Sequence, residues 1–205
     1  PVSTVCAGRT DAGVHASAQV VHFDTHAVRP LRAWVMGVNS LLPADVAVQW
    51  AREVGPDFHA RFSARYRRYR YLVLTRAQRS ALAAGSACLE RRPLDAPRMH
   101  EAAQCLLGER DFSAFRGAGC QSRTPMRRLD RIAVSRAGEL LTIEVEANAF
   151  LLHMVRNIAG SLLAVGTGER PPQWLAGVLE SRDRTLAGAT APAQGLYLVD
   201  VGYDA

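Results

Sequence analysis

Apolar and polar positions alternate from Gln19 to Asp24 and again at Val46, Val48 and Trp50, the two-residue period of a strand with one buried face. Between them, Pro30 opens a run in which Leu31, Trp34, Val35, Val38 and Leu42 recur at helical spacing. The first unit is thus predicted as strand, helix, strand, broken at Gly55-Pro56. Arg65 to Val73 reads as extended, with Tyr69, Tyr71 and Val73 on one face. Asp95 is the predicted cap of a helix that runs to Leu107 and stops at Gly108, and Asp111 to Pro125 reads as a polar loop. Ile132 and Val134, an Ala137-Gly138 turn, and Ile143, Val145 and Ala147 predict a hairpin. From Phe150 the period becomes helical through Leu151, Val155, Ile158, Leu162 and Val165, until Gly166. Pro171-Pro172 opens another helix over Trp174, Leu175, Val178 and Leu179, and Leu196 to Val201 closes the chain as a strand.

Strands mixed with helices, and one clear hairpin, place the chain in the α+β class with antiparallel pairing. The order of elements suggests two similar α/β halves, residues 1–63 and 64–205. A length of 205 residues is compatible with that division or with one large domain. Composition excludes disorder: 48% of residues are hydrophobic and 21% charged, enough to build a core. The formal net charge of +6 is arginine-dominated. Arginine grips phosphate with paired hydrogen bonds and stacks on bases, which suits a nucleic acid partner; a GC-rich genome that writes Arg for Lys accounts for the same bias.

Cys6, Cys88, Cys105 and Cys120 form no C-x-x-C pair, and the histidines make no H-E-x-x-H pattern, so neither a metal site nor a disulfide framework is signalled. No run approaches the roughly 18 apolar residues that span a bilayer. The expected setting is a reducing cytoplasm, away from any membrane.

Three residues stand out for chemistry. Asp11 lies between Gly8 and Gly13, close to Arg9 and His15, in a loop whose glycines let a bulky ligand approach; a plain turn in which Asp11 bonds its own backbone fits the same pattern. Arg156 has apolar or small helical neighbours in Leu152, Ala159, Gly160 and Leu163, so its charge calls for a carboxylate or phosphate unless it snorkels to a rim. Tyr69 sits among arginines in a combination that stacks unpaired bases, though tyrosine-rich strands are also common in ordinary sheets. His153 and Asn157 read as makers of structural hydrogen bonds.

Taken in order, CAGRTDAGVHA (6–16), QVVHFDT (19–25), FHARFSARYRRYRY (58–71), QCLLGERDFSAF (104–115), CQSRTP (120–125), NAFLLHMVRNIAGSLLAVG (148–166) and DRTLAGATAPAQGLYL (183–198) resemble the TruA family of tRNA pseudouridine synthases over nearly the whole chain. The resemblance implies Asp11 as the catalytic aspartate, Arg156 as its arginine partner and Tyr69 as the ring that packs on the target uracil. It implies Arg9 as an aid to the flipped nucleotide, Arg29 as a second tRNA contact, and tRNA-touching segments at Phe58, His59, Ala60, Arg61 and Phe62 and at Gly119, Cys120, Gln121, Ser122 and Arg123. It further implies two halves whose antiparallel sheets join around a central cleft, a homodimer, a cofactor-free and metal-free reaction with base flipping, and targets at positions 38 to 40 of the anticodon stem and loop. Relatives carry an opening strand and helix before the C-A-G-R-T-D motif, so the first half of this chain is expected to lack part of its sheet. Two other readings stand beside this one. A non-catalytic RNA-binding module uses the same arginines and tyrosines, and a phosphoryl-transfer enzyme uses an Asp nucleophile but calls for a phosphate loop that the sequence lacks.

Overall fold

The computed structural model describes residues 2–204; Pro1 and Ala205 lie outside the described residues. Its strands are β1 (Val5–Cys6), β2 (His15–Ala16), β3 (Val21–His22), β4 (Tyr66–Thr75), β5 (Cys88–Glu90), β6 (Gly108–Asp111), β7 (Met126–Ala137), β8 (Leu140–Ala147) and β9 (Leu196–Gly202). The helices are α1 (Leu31–Asn39), α2 (Ala96–Ala103), α3 (Met154–Gly166) and α4 (Trp174–Ser181). A seven-stranded sheet runs in the order β2-β9-β4-β8-β7-β6, with β5 continuing beside β4 where β9 ends, and β1 and β3 pair separately. Pairing is antiparallel except for the short β2–β9 and β4–β5 ladders. The α+β class read from the sequence holds.

The alternation of the long strands explains the layers. Arg67, Tyr69, Tyr71 and Val73 of β4 point inward with Leu141, Ile143, Val145 and Ala147 of β8, and α2, α3 and α4 cover that face with Met99, Ile158, Leu162 and Leu175, all fully buried. The opposite face of the sheet is polar and carries cross-strand ion pairs, Arg68–Glu146 at 2.6 Å and Arg70–Glu144 at 2.8 Å. The predicted elements from residue 65 onward form with small shifts. Asp95 caps α2 by accepting from Arg98 N at 2.9 Å, and Gly138, at φ +60°, makes the β7–β8 turn. The helix expected from Phe150 begins only at Met154. The stretch read as a polar loop starts on β6 and then drives Phe112 and Phe115 into the core.

The first 63 residues are organised differently from their pattern. Helix α1 forms after Pro30, yet none of its residues is fully buried; Leu31 stays exposed and the half-buried Trp34 meets Phe23 edge-on, at 5.5 Å between centroids. The strand expected at Val46, Val48 and Trp50 does not form. Its backbone finds no neighbouring strand, and the side chain of Asn39 instead clamps Val48, donating to its carbonyl at 2.8 Å and accepting from its N–H at 2.7 Å. Only β2 of this region joins the main sheet, at its edge.

Candidate active site

Asp11 sits on the loop between β1 and β2. The turn closes through Val14 N, which donates to Asp11 O at 3.0 Å, with Gly13 at φ +80° supplying a conformation that L side chains resist. Below the turn, the Gln19 amide spans Gly8, donating to its carbonyl at 2.7 Å and accepting from its N–H at 3.4 Å. The base of the loop is fastened by Arg67, which donates to Ala7 O at 3.0 Å, Ala64 O at 3.2 Å, Asn148 O at 3.0 Å and Arg61 O. Arg67 is buried, and its desolvation lowers the pKa of a guanidinium whose hydrogen-bond partners are carbonyls. One cation therefore holds together the Asp11 loop, the turn at residues 58–64 and the end of β8.

Helix α3 brings the opposing charge. Arg156 places Nη1 3.4 Å from Asp11 Oδ2, and its Nε donates to Ala191 O at 2.8 Å. Its side chain is 15% exposed, so the apolar stripe around it carries an ion pair and is no solvated face. The loop that supplies Ala191 runs directly against α3. An added Cβ at Gly160 would lie 1.7 Å from Ala189 O, so no other residue fits there without moving that loop. His153, the residue before α3, places Nε2 3.1 Å from the same Asp11 oxygen. The Asp11 side chain is 35% exposed, and among the described residues no donor meets Oδ1.

Tyr69 completes the floor. Its hydroxyl lies beside Gly8, where an added Cβ would come within 3.3 Å, and its ring meets Phe150 edge-on at 5.0 Å. Burial pushes the phenol up to about 12, with Arg67 opposing and the charge of Asp11 adding to the rise, so Tyr69 is neutral near pH 7. The structure thus brings Asp11, Arg156 and Tyr69 together from residues far apart in sequence. Asn157 is structural, as read: it donates to Phe115 O at 2.8 Å and accepts from Arg184 and Thr190.

Among the described residues, none of the other expected contact residues forms a hydrogen bond or ion pair with the Asp11 side chain. Arg9, Arg29, Arg61 and Arg123 are exposed, and among the described residues none has an ion-pair partner. In the 58–62 turn, Phe62 is 75% exposed and stacks on His59 at 4.3 Å, with the Arg61 guanidinium 5.4 Å from its ring. Phe58 packs on Tyr203 instead, and Ala60 is fully buried, its N–H given to His22 Nδ1 and its carbonyl receiving Tyr203 OH; both support the turn from below. In the second segment Gly119, Gln121 and Arg123 are exposed. Cys120 and Ser122 are half-buried because Arg116 donates to both of their carbonyls, and Cys120 Sγ accepts from Leu152 N at 3.4 Å. Reasoning on the sequence missed Arg67, Phe150 and His153. The only available signal for Arg67 was its place on the same strand face as Tyr69 and Tyr71. Among the described residues no three His, Cys, Asp or Glu side chains gather as a metal site requires, and no helix is long and apolar enough to cross a membrane.

A half-exposed carboxylate paired with a sheltered arginine beside a buried tyrosine makes this the candidate site. The sequence model of a family described as tRNA pseudouridine synthase matches residues 1–63 and 102–204. The chain belongs to that family, whose members are isomerases. Proteins named tRNA pseudouridine synthase A resemble it throughout: one from Coxiella burnetii (strain Dugway 5J108-111) is 57% identical over 203 residues, covering 99% of this chain and 78% of the relative. One from Aeromonas salmonicida (strain A449) is 56% identical over 205 residues, 100% of this chain and 76% of the relative. A third, from Aliivibrio salmonicida (strain LFI1238), is 55% identical over 203 residues, 99% and 78%.

Proposed function

We propose that this protein isomerises uridine to pseudouridine in tRNA, at positions 38 to 40 of the anticodon stem and loop, with Asp11 as the reacting carboxylate. The observation that carries this reading is the Asp11–Arg156 pair at 3.4 Å, with the second carboxylate oxygen open to a ligand, in a chain of this family. Arg156 holds the Asp11 carboxylate by one oxygen. The carboxylate then acts at the ribose, by attack on C1′ or by way of a glycal, and the bond from N1 to C1′ breaks. The uracil turns and rejoins C1′ through C5; the C5 proton leaves, N1 ends protonated, and no atom is gained or lost. The ring of Tyr69 packs against the uracil during that turn. A ring on a rigid strand defines the axis along which the base can reorient.

The substrate nucleotide must first leave its stack, at a cost of a few kcal/mol. Arg9, on the same loop as Asp11, holds the extruded nucleotide. Arg29, the 58–62 turn through Arg61 and Phe62, and the 119–123 segment through Arg123 take the flanking phosphates and bases. Residues 1–63 act as one half of the site, which supplies Asp11, and residues 64–205 as the other, which supplies Tyr69 and Arg156. The working form is a cytoplasmic homodimer that uses no cofactor. A non-catalytic RNA binder gains nothing from an acid facing an anionic ligand, which sets that reading second.

The test is to incubate the protein with tRNA transcribed without modification and to map pseudouridine by carbodiimide-dependent primer-extension stops. Stops confined to positions 38 to 40 across several tRNAs support the reading; stops elsewhere in the tRNA overturn the target assignment.

A further inference from the structure

His153 holds a left-handed backbone conformation in the turn that leads into α3, at a position better suited to glycine. It lies at φ 59°, ψ 4°, and only one other non-glycine residue among those described, Arg182, has positive φ. Arg182 ends α4, where a left-handed residue closes a helix in the ordinary way. His153 precedes α3 as the third residue of a turn closed by Met154 N, which donates to Leu151 O at 3.1 Å, a position that calls for positive φ and is usually filled by glycine or asparagine; its side chain makes no capping hydrogen bond. A left-handed non-glycine residue is strained and persists only where its surroundings hold it there. They do so here. Leu152 O accepts from Gly117 N at 2.8 Å and Leu152 N donates to Cys120 Sγ at 3.4 Å, while His153 O receives the helical N–H of Asn157 at 2.9 Å. Gly117 is buried against the ring, and an added Cβ there would come within 3.0 Å of Nδ1. The strained turn brings the imidazole back over the Asp11 loop, with Nε2 3.1 Å from Oδ2.

We propose that His153 is a positioning residue for the reaction: its Nε2, in close contact with Asp11 Oδ2 at 3.1 Å, turns in its Nε2–H form to donate to that oxygen and, with Arg156, locks the carboxylate so that Oδ1 faces the ribose. This rests on Asp11 being the reacting carboxylate. Arg156 alone contacts Oδ2 at 3.4 Å, a long bond that leaves the carboxylate free to turn about its Cβ–Cγ axis. A second donor on the same oxygen, from the residue that leads into the same helix, removes that freedom. The general gain from such orientation is large, because the reacting atoms start in the attack geometry.

Substitution can separate donor from fold. Glycine is at home at positive φ, so His153→Gly relieves the strain and melts no lower than the unaltered protein. It also deletes the donor, and kcat for tritium release from 5-tritiated uridine in tRNA falls on the order of 100-fold while KM and tRNA affinity stay unchanged. His153→Gln restores most of kcat, because its amide N–H reaches the position of Nε2–H. Wild-type kcat in the glycine variant overturns the proposal, as does a glutamine variant no better than the glycine one. Asp11→Asn is measured alongside: if it remains active, the reading of Asp11 itself fails, whereas loss in Asp11→Asn with no change in His153→Gly removes only the role of His153.

Discussion

Arg156 meets Asp11 across 145 residues of sequence, its Nη1 3.4 Å from Oδ2, while its Nε is fixed by the carbonyl of Ala191 at 2.8 Å. The guanidinium thus serves as a bracket, with one edge on the loop of Ala191 and the other on the loop of Asp11. Lysine has a single charged nitrogen and cannot keep both bonds in that geometry. Arg156→Lys is expected to lower kcat by about 10 to 100-fold with little change in tRNA affinity. Single-turnover kinetics beside a binding isotherm check this.

Arg67 predicts a stability effect of a different kind. Its substitution by Met leaves the carbonyls of Ala7, Arg61, Ala64 and Asn148 without their donor in a buried setting. The expected cost is about 2 to 4 kcal/mol. For a chain of this size that lowers Tm by roughly 5 to 15 °C, measurable by calorimetry.

Much of this was legible in the sequence. Strands β4, β7, β8 and β9 and helices α2, α3 and α4 follow their apolar periodicity, because each has a partner on its buried face. The short strands β5 and β6 did not announce themselves: Gly108-Glu109-Arg110-Asp111 is a charged edge segment, shaped by β7 and by no pattern of its own. Val46 to Trp50 failed in the opposite sense, since alternation shows what a segment could bury and says nothing about whether a neighbour is present. Asp11, Arg156 and Tyr69 could be picked out because a loop acid, a charge on an apolar stripe and a tyrosine among arginines are each locally odd. His153 could not, because what matters about it is a positive φ, and His153 follows Leu151 and Leu152 at what reads as the interior of a helix.

Tyr69 gives a pH dependence. Below the ordinary tyrosine value the phenol is protonated in both folded and unfolded chains, and its contribution to stability is complete. Because burial raises the folded value to about 12, the unfolded chain ionises first, and stability is lost as pH climbs from about 10 through 12. The shift corresponds to about 3 kcal/mol, and burial of Tyr71 acts in the same direction. Urea unfolding across that range should show the fall, and Tyr69→Phe should flatten it; equal slopes for both proteins contradict the assignment.

The exposed arginines predict a salt signature. If Arg9 and Arg29 each neutralise one phosphate, replacing either with Ala should weaken tRNA binding and reduce the slope of log affinity against log salt by roughly 0.7 to 0.9. Filter binding over a range of salt concentrations reads this directly. A weakened affinity with an unchanged slope assigns those residues to base contacts instead.

The central claim is that Asp11 carries the chemistry, and tritium release from tRNA containing 5-tritiated uridine tests it most directly. Asp11→Asn keeps the shape of the loop and removes the charge. The account predicts that the unaltered protein releases tritium and that Asp11→Asn releases none while still binding tRNA. Release by Asp11→Asn at the unaltered rate contradicts it.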